Sequence, residues 1–451
     1  MLTPHEHQVH GAIFLSGRDA ALLADEPRVG KTGSAIMAAD LNIEARILVV
    51  TTASGRAVWK RAFGDWSTFR RTICVLPGPI DDGPVAAIVS WAGITEPKTR
   101  AQLLGHKWDR IILDESHYAK SIETKRTQAV YGQFLQDGLI VDAATALVRK
   151  ADERVWPLTG TPMPNAPNDL YPMLRSLKPE CLHADPDKGW PDVTKYQSFL
   201  HRYCVVRMKK ISNFRKIPVV VGGRNLPELR ERIGDFMLRR TQQDVGIREP
   251  IYDTLPLTVS PSMLRAAEKD LDREKVLKAA MEGATKELEM HLGPLRRLTG
   301  EMKARAVVDF VKDEFDCGLD KIVLAYWHKD VGQILADGLS QFGVVGLSGE
   351  TSQQKRQKAE EQFRDDPKTR VFLGQIAAAG EAIDLSAAAN LLFVETAFLP
   401  SHMKQMSLRI TNHQQTRQAL VRVAALEGSI DEALQTLLMR KWAAIREVLS
   451  A

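Results

Sequence analysis

The chain has 451 residues, with 61 Lys+Arg against 56 Asp+Glu, a net charge of +5 and 44% hydrophobic residues. Such a balance belongs to a folded globular chain of two large α/β lobes or of roughly three domains, and its slight positive excess admits a polyanionic partner without requiring one. No apolar run reaches the roughly 18 residues of a membrane span, MLTPHEHQVHG lacks a signal-peptide pattern, and Cys74, Cys181, Cys204 and Cys317 form no CxxC pair, so reduced cysteines and a cytoplasmic location are expected.

Short apolar runs alternate with amphipathic stretches over the first 165 residues. AALLAD (20–25), ARILVVTT (45–52), TICVLP (72–77), AAIVSW (86–91), RIILDE (110–115) and WPLTGT (156–161) read as buried parallel strands. Stretches such as GKTGSAIMAADLN (30–42) read as helices between them, and the alternation predicts a doubly wound α/β lobe. Residues 168–245 are charge-rich and helix-like, which predicts a helical insertion there; 261–316 have the same character. Strand runs return at KIVLAYW (321–327), FGVVGLS (342–348), TRVFLGQ (369–375) and ANLLFVE (389–395), predicting a second α/β lobe that ends in helices after residue 402. The expected division is 1–250 and 251–451, with the boundary in REPIYDTLPL (248–257).

Two features carry chemistry. In AALLADEPRVGKTGSAI, Gly30, Lys31 and Thr32 stand between a strand and a helix, where backbone N–H groups and a helix N-terminus can cradle phosphates. There Lys31 would reach the β/γ-phosphates of a nucleotide and Thr32 would hold Mg²⁺. The full GxxxxGK[ST] pattern is broken, because Asp25 occupies the first glycine position. RIILDESHYAK ends an apolar strand with Asp114 and Glu115, projecting both into the crevice where open α/β sheets bind ligands. Asp114 is placed to bind Mg²⁺ and Glu115 to orient and deprotonate an attacking water. Further on, RYCVVRMKKISNFRK (202–216) holds six basic residues and no acid, so Lys209 and Lys210 are candidate phosphate contacts; the alternative is a solvated face. Trp59, Trp66, Trp91, Trp108 and Trp156 are expected to be packing residues.

In order along the chain, LTPHEHQ, LLADEPRVGKT, ILVVTTASGRAVWKRAF, IVSW, LDESHYAK, LTGTPMPNAPNDLYPML, LPELRERIGDFMLRRTQQDV, GLSGETSQQKRQKAEEQF, AAAGEAIDLSAAANLLFVE and QMSLRITNHQQTRQALV resemble the motifs of a superfamily-2 helicase/translocase of the Swi/Snf-type ATPase branch. The resemblance implies two RecA-like lobes with ATP between them and DNA across both. It implies that Gln8 reads adenine, that Gly30, Lys31, Thr32, Gly380 and Asp384 serve the nucleotide, and that His117 couples the ATP site to motif III. It also implies that Thr52, Ser54, Ser90, Gly349 and Thr351 touch the DNA backbone. Motif VI of this branch usually reads QxxxRxxR; here Gln405 and Arg409 are in place, but Asn412 holds the second arginine position, that of the finger. An arginine finger contributes about 10³–10⁵ in rate.

The function implied is an ATP- and Mg²⁺-dependent translocase acting on duplex or forked DNA without sequence preference, in replication, recombination or repair. Its compactness resembles bacterial or phage-encoded members. The alternative is an ATP-gated DNA-binding module whose hydrolysis is impaired at Asn412.

Overall fold

A computed structural model describes residues 2–164, 166–212, 215–259, 262, 285–379, 383–396, 400–427 and 429. The chain divides into two compact units, Met1–Val245 and Gly246–Ala451.

The first unit opens with helix α1 (Glu6–Ser16), strand β1 (Leu22–Leu23), helix α2 (Lys31–Ala39), β2 (Ile47–Thr51) and helix α3 (Gly55–Trp66). There follow β3 (Thr72–Val75), β4 (Val85–Ser90), β5 (Trp108–Asp114), the small hairpin β6 (Gln133–Phe134) and β7 (Ile140–Val141), and β8 (Ala151–Leu158). The long pair β9 (Cys204–Ser212) and β10 (Arg215–Gly223) precedes β11 (Met237–Leu238). Seven strands build one sheet in the order β11-β1-β8-β5-β2-β4-β3, and every pairing is parallel. Every residue of β2, and all but the last of β4, is buried, because helices cover both faces of a parallel sheet. That is why these strands are unbroken apolar runs rather than alternating ones.

The second unit contains β12 (Ile251–Leu257), helix Thr285–Asp316, β13 (Ile322–Tyr326), β14 (Val344–Leu347), β15 (Val371–Gln375), β16 (Asn390–Phe393), helix Pro400–Ser407 and β17 (Leu420–Leu426). Its parallel sheet runs β12-β17-β16-β13-β15-β14.

Three expectations are corrected. Residues 168–245 are not a purely helical insertion, since β9 and β10 form a separate antiparallel ribbon and β11 joins the main sheet. Charges at Arg207, Lys209 and Lys210 masked the β-branched content of CVVRMKKIS and RKIPVVVGG. The stretch expected to separate the units is itself strand β12, paired along its length with β17. Finally, the described residues after 402 are not all helical, since β17 follows helix Pro400–Ser407 and lies inside the sheet; the helices expected beyond 429 fall outside the described residues.

Candidate nucleotide site

The loop between β1 and α2 is held from several sides. Gly30 has φ 102° and Arg28 φ 72°, so two left-handed residues bend the chain into the helix start. A Cβ on Gly30 would lie 2.0 Å from Gln8 Nε2, so only glycine lets α1 rest against the loop here. Lys31 Nζ folds back to donate to the carbonyls of Asp25 (2.6 Å) and Glu26 (3.2 Å). Thr32 lies half-buried in the first turn of α2.

The segment after β11 wraps the other side. Arg240 donates through Nε and Nη2 to the two oxygens of Asp25, and through Nη1 to the His7 carbonyl. The Gln242 amide donates to Glu26 Oε2 at 3.0 Å, and its side chain to the Pro27 carbonyl at 2.9 Å. Arg239 stands 3.8 Å from Glu26; its guanidinium pKa is lowered, burial outweighing the attraction of that carboxylate. Sequence reasoning gave LRRT no role. The available signal was Asp25 itself, an acid at a glycine position that needed a cation.

Asp114 closes β5. Its Oδ2 accepts from Thr51 Oγ1 (2.7 Å) and from Trp59 Nε1 (2.8 Å), while Trp91 Nε1 donates to its backbone carbonyl (2.8 Å). Trp59 and Trp91 are therefore buried as expected, yet their indole N–H groups also orient this carboxylate. Burial and the neighbouring Glu115 charge raise the Asp114 pKa against those donors and against Lys31, whose charge reaches it. Glu115 adopts φ 50° and lies 3.2 Å from His117 Nδ1. The same ring nitrogen is 2.9 Å from Thr159 Oγ1, which accepts from the Thr161 amide at 3.1 Å. A continuous polar chain thus joins the strand-end acid to the β8 turn.

Both Asp114 side-chain bonds fall on Oδ2, so Oδ1 accepts from none of the described residues. No group of three or more His, Cys, Asp and Glu that could hold a metal occurs among the described residues. A magnesium ion needs no such cage, since one or two side-chain oxygens and substrate phosphates suffice. Asp114 and Thr32, with the glycine cradle at a helix N-terminus, fit a magnesium-bound nucleoside triphosphate.

Thr52, Ser54 and Ser90 stand where β2 and β4 end, on the same carboxyl edge as Asp114. Thr52 Oγ1 is 3.1 Å from Ser54 Oγ and accepts from the Gly55 amide at 3.0 Å; Ser90 Oγ accepts from the Gly93 amide at 3.1 Å. Lys209 and Lys210 fall on β9, and their side chains lie outside the described set.

In the second unit, the Gly349 amide donates to Gln375 Oε1 at 2.9 Å, and Thr351 Oγ1 accepts from the Ser348 amide at 2.9 Å. Asp384 Oδ1 accepts from the amide (3.0 Å) and hydroxyl (2.7 Å) of Ser386. Asn412 Nδ2 donates to Ser386 Oγ at 2.6 Å, and its Oδ1 accepts from the Gln414 amide at 2.8 Å. Arg409 is nearly buried, and its carbonyl accepts from the Leu385 amide at 3.0 Å. Arg417 is tied to the Ala387 carbonyl (2.7 Å) and sits 3.4 Å from Asp320. Gly380 lies outside the described residues. Sequence reasoning missed Glu395, whose Oε2 accepts from the amides of Trp327 (2.8 Å) and His328 (2.9 Å) and whose Oε1 is 2.6 Å from His328 Nδ1.

Two parallel sheets, with the Gly30–Lys31–Thr32 loop and strand-end carboxylates on the first, have the layout of a two-unit nucleotide-binding α/β protein. A family profile described as SNF2-related domain matches residues 7–290, and one described as helicase conserved C-terminal domain matches 303–414. The first covers more than half of the chain, and the chain belongs to the SNF2-related family, the Swi/Snf branch of superfamily 2.

Among curated relatives, the DNA annealing helicase and endonuclease ZRANB3 of Mus musculus is 25% identical over 452 residues, covering 96% of this chain and 40% of the relative. The SWI/SNF-related matrix-associated actin-dependent regulator of chromatin subfamily A-like protein 1 of Xenopus tropicalis is 26% identical over 445 residues, covering 96% and 43%. The chain thus spans about 40% of the length of these relatives. A solved Sulfolobus solfataricus SWI2/SNF2 ATPase core in complex with dsDNA is 20% identical, covers 100% of this chain and 93% of that one, and has a TM-score of 0.43. No helix among the described residues is long and apolar enough to cross a membrane.

Proposed function

We propose that this chain is a DNA-stimulated ATPase that moves along the DNA backbone without reading sequence. The observation that carries the reading is that the Gly30–Lys31–Thr32 loop follows β1 and the Asp114–Glu115 pair ends β5, so both stand on the carboxyl edge of one parallel sheet, where the lysine charge opposes the rise in the Asp114 pKa. Family membership supports ATP as the nucleotide. The relative that is a DNA annealing helicase and endonuclease supports DNA as the polymer, and a replication, recombination or repair setting is proposed from the motif resemblance.

In this reading Lys31 leaves the Asp25 and Glu26 carbonyls and engages the β/γ-phosphates, while α2 offers its N-terminal amides. A magnesium ion would neutralise charge on the phosphates, held by Thr32 and Asp114. Glu115 takes the proton of the attacking water, and His117 orients it. Gln8 against Gly30 is placed beside the loop to read the base. Thr52, Ser54 and Ser90, and Gly349 and Thr351 of the second unit, are proposed phosphate donors; Gly380, Asp384 and Arg409 are proposed to serve the nucleotide.

A second reading, an ATP-gated DNA binder with weak hydrolysis, is favoured by Asn412. Its amide is committed to Ser386 and to the Gln414 backbone, and it carries no charge for a developing phosphoryl anion. Phosphate release, measured with and without single-stranded, duplex and forked DNA, separates the two. DNA-stimulated turnover supports the motor; nucleotide-dependent DNA affinity without turnover supports the gated binder; neither result discards both.

A further inference from the structure

The β9–β10 ribbon is left without a part in the nucleotide chemistry. Its base is fixed. Tyr203 Oη and Arg202 Nε both donate to Glu228, at 2.7 and 2.9 Å, and Arg232 Nε joins them at 3.1 Å. A Cβ on Gly223 would come within 3.0 Å of both Pro167 and Leu226, so the outgoing strand is pinned against the segment that follows the β8 turn.

Beyond that base the ribbon is a sheet of two strands only. Such a ribbon is marginal in water and presents unpaired edges. Its composition states what would cover it. Residues 204–223 include Arg207, Lys209, Lys210, Arg215 and Lys216, and no Asp or Glu. Charge complementarity selects a polyanion.

Phosphates alone give no use to the apolar residues there. Val206 is 41% exposed and Met208 60%. Two apart on one strand, they share a face of the ribbon, and the register sets them opposite Val220 and Pro218; Lys210 and Lys216, paired with each other, fall on that same face, and Arg207 and Lys209 on the other. Apolar side chains beside cations gain by covering base faces, which a single strand leaves open and a duplex offers only after unstacking that costs about a few kcal/mol per step. We infer that the β9–β10 ribbon is a single-stranded DNA contact, with its cations along the phosphates and Val206 and Met208 against unpaired bases. The inference rests on the proposed function for the choice of DNA as the polyanion.

The test uses the full chain and a fluorescent oligothymidylate of about 20 nucleotides, with covalently closed duplex plasmid in excess to fill duplex sites. The unsubstituted protein is expected to keep its oligothymidylate affinity under that competition. Val206→Ser with Met208→Ser should weaken binding at least about fivefold. Lys210→Glu should weaken it and reduce the salt slope by about one phosphate contact. Photocrosslinking from bromodeoxyuridine to the unsubstituted chain should map to residues 204–223, a result independent of how the variants fold. Complete competition by closed duplex, parental affinity in the double variant, or crosslinks wholly elsewhere would each overturn the inference. ATP hydrolysis with and without DNA is read separately: its absence with the crosslink intact discards the motor and leaves the ribbon contact standing.

Discussion

Arg240 lays its guanidinium across both oxygens of Asp25, 215 positions away in the chain, Nε to Oδ1 at 3.0 Å and Nη2 to Oδ2 at 2.5 Å. The fork geometry suits arginine and not lysine. Asp25 is fully buried, so removing its partner strands a carboxylate. Arg240→Ala is expected to destabilise the first unit by about 3–5 kcal/mol, and Arg240→Lys to recover only part of that. Urea unfolding measures the loss, and a nucleotide titration should show weaker ATP binding in both variants, because the loop that holds Lys31 depends on this pair.

Lys31→Ala is expected to abolish ATP turnover and weaken ATP binding, since it removes the fixed charge on the β/γ-phosphates. Its effect on folding should be small, because Lys31 contributes hydrogen bonds to two carbonyls of a loop tied elsewhere. Turnover at the parental rate would remove this loop from the nucleotide site.

Glu115→Gln keeps the shape of the side chain and loses its basicity. ATP and magnesium binding should persist while hydrolysis stops. A loss of ATP binding in equilibrium titration would instead assign Glu115 to the scaffold, through its contact with His117.

Asn412→Arg puts a forked cation at the position proposed for the finger. DNA-stimulated kcat is expected to rise at least about 100-fold, with ATP affinity and nucleotide-free DNA binding little changed, because the contact forms chiefly in the reacting state. The arginine gives up the bond to Ser386, at a cost of about 1 kcal/mol in stability. An unchanged kcat in an active parent would move the finger role to Arg409 or Arg417.

Glu395 supplies a pH signature in the second unit. Burial would raise its pKa, but the His328 ring and the His328 and Trp327 amides outweigh burial and hold it below the usual carboxylate range. A depressed carboxyl stabilises the fold above its unfolded value of about 4.3, and that contribution is lost as pH falls through the lower folded value. Glu395→Gln should therefore start less stable at neutral pH by roughly 2–4 kcal/mol. Its Tm should also fall less steeply than the parent's below about pH 4, followed by calorimetry.

The strands that hold the site were readable because burial on both faces demands continuous apolar residues, as in β2 and β13. The positions of Lys31, Asp114 and Glu115 were readable because each stands where an apolar strand run ends. The Arg240–Asp25 pair was not, since nothing local in 238–242 reveals that β11 lies beside β1. Glu395 escaped for a similar reason: its partners arrive from the end of β13, more than 60 residues upstream. The β9–β10 ribbon was misread because its cations conceal a strand pattern that becomes legible only once the two halves are paired.

Arg28 occupies a backbone conformation that glycine adopts freely, φ 72°, two residues before Gly30 repeats the sign. By residue identity the loop is degenerate, since Asp25 stands at the first glycine position of GxxxxGK[ST]. By the signs of its torsions it is intact. The shape is imposed from outside, by Arg240, Gln242 and Gln8, and so outlasts the loss of the residue best suited to it. A search keyed to handedness along the backbone would recover phosphate-binding loops that a search keyed to letters discards, and Arg28→Gly should relax this one without altering its path.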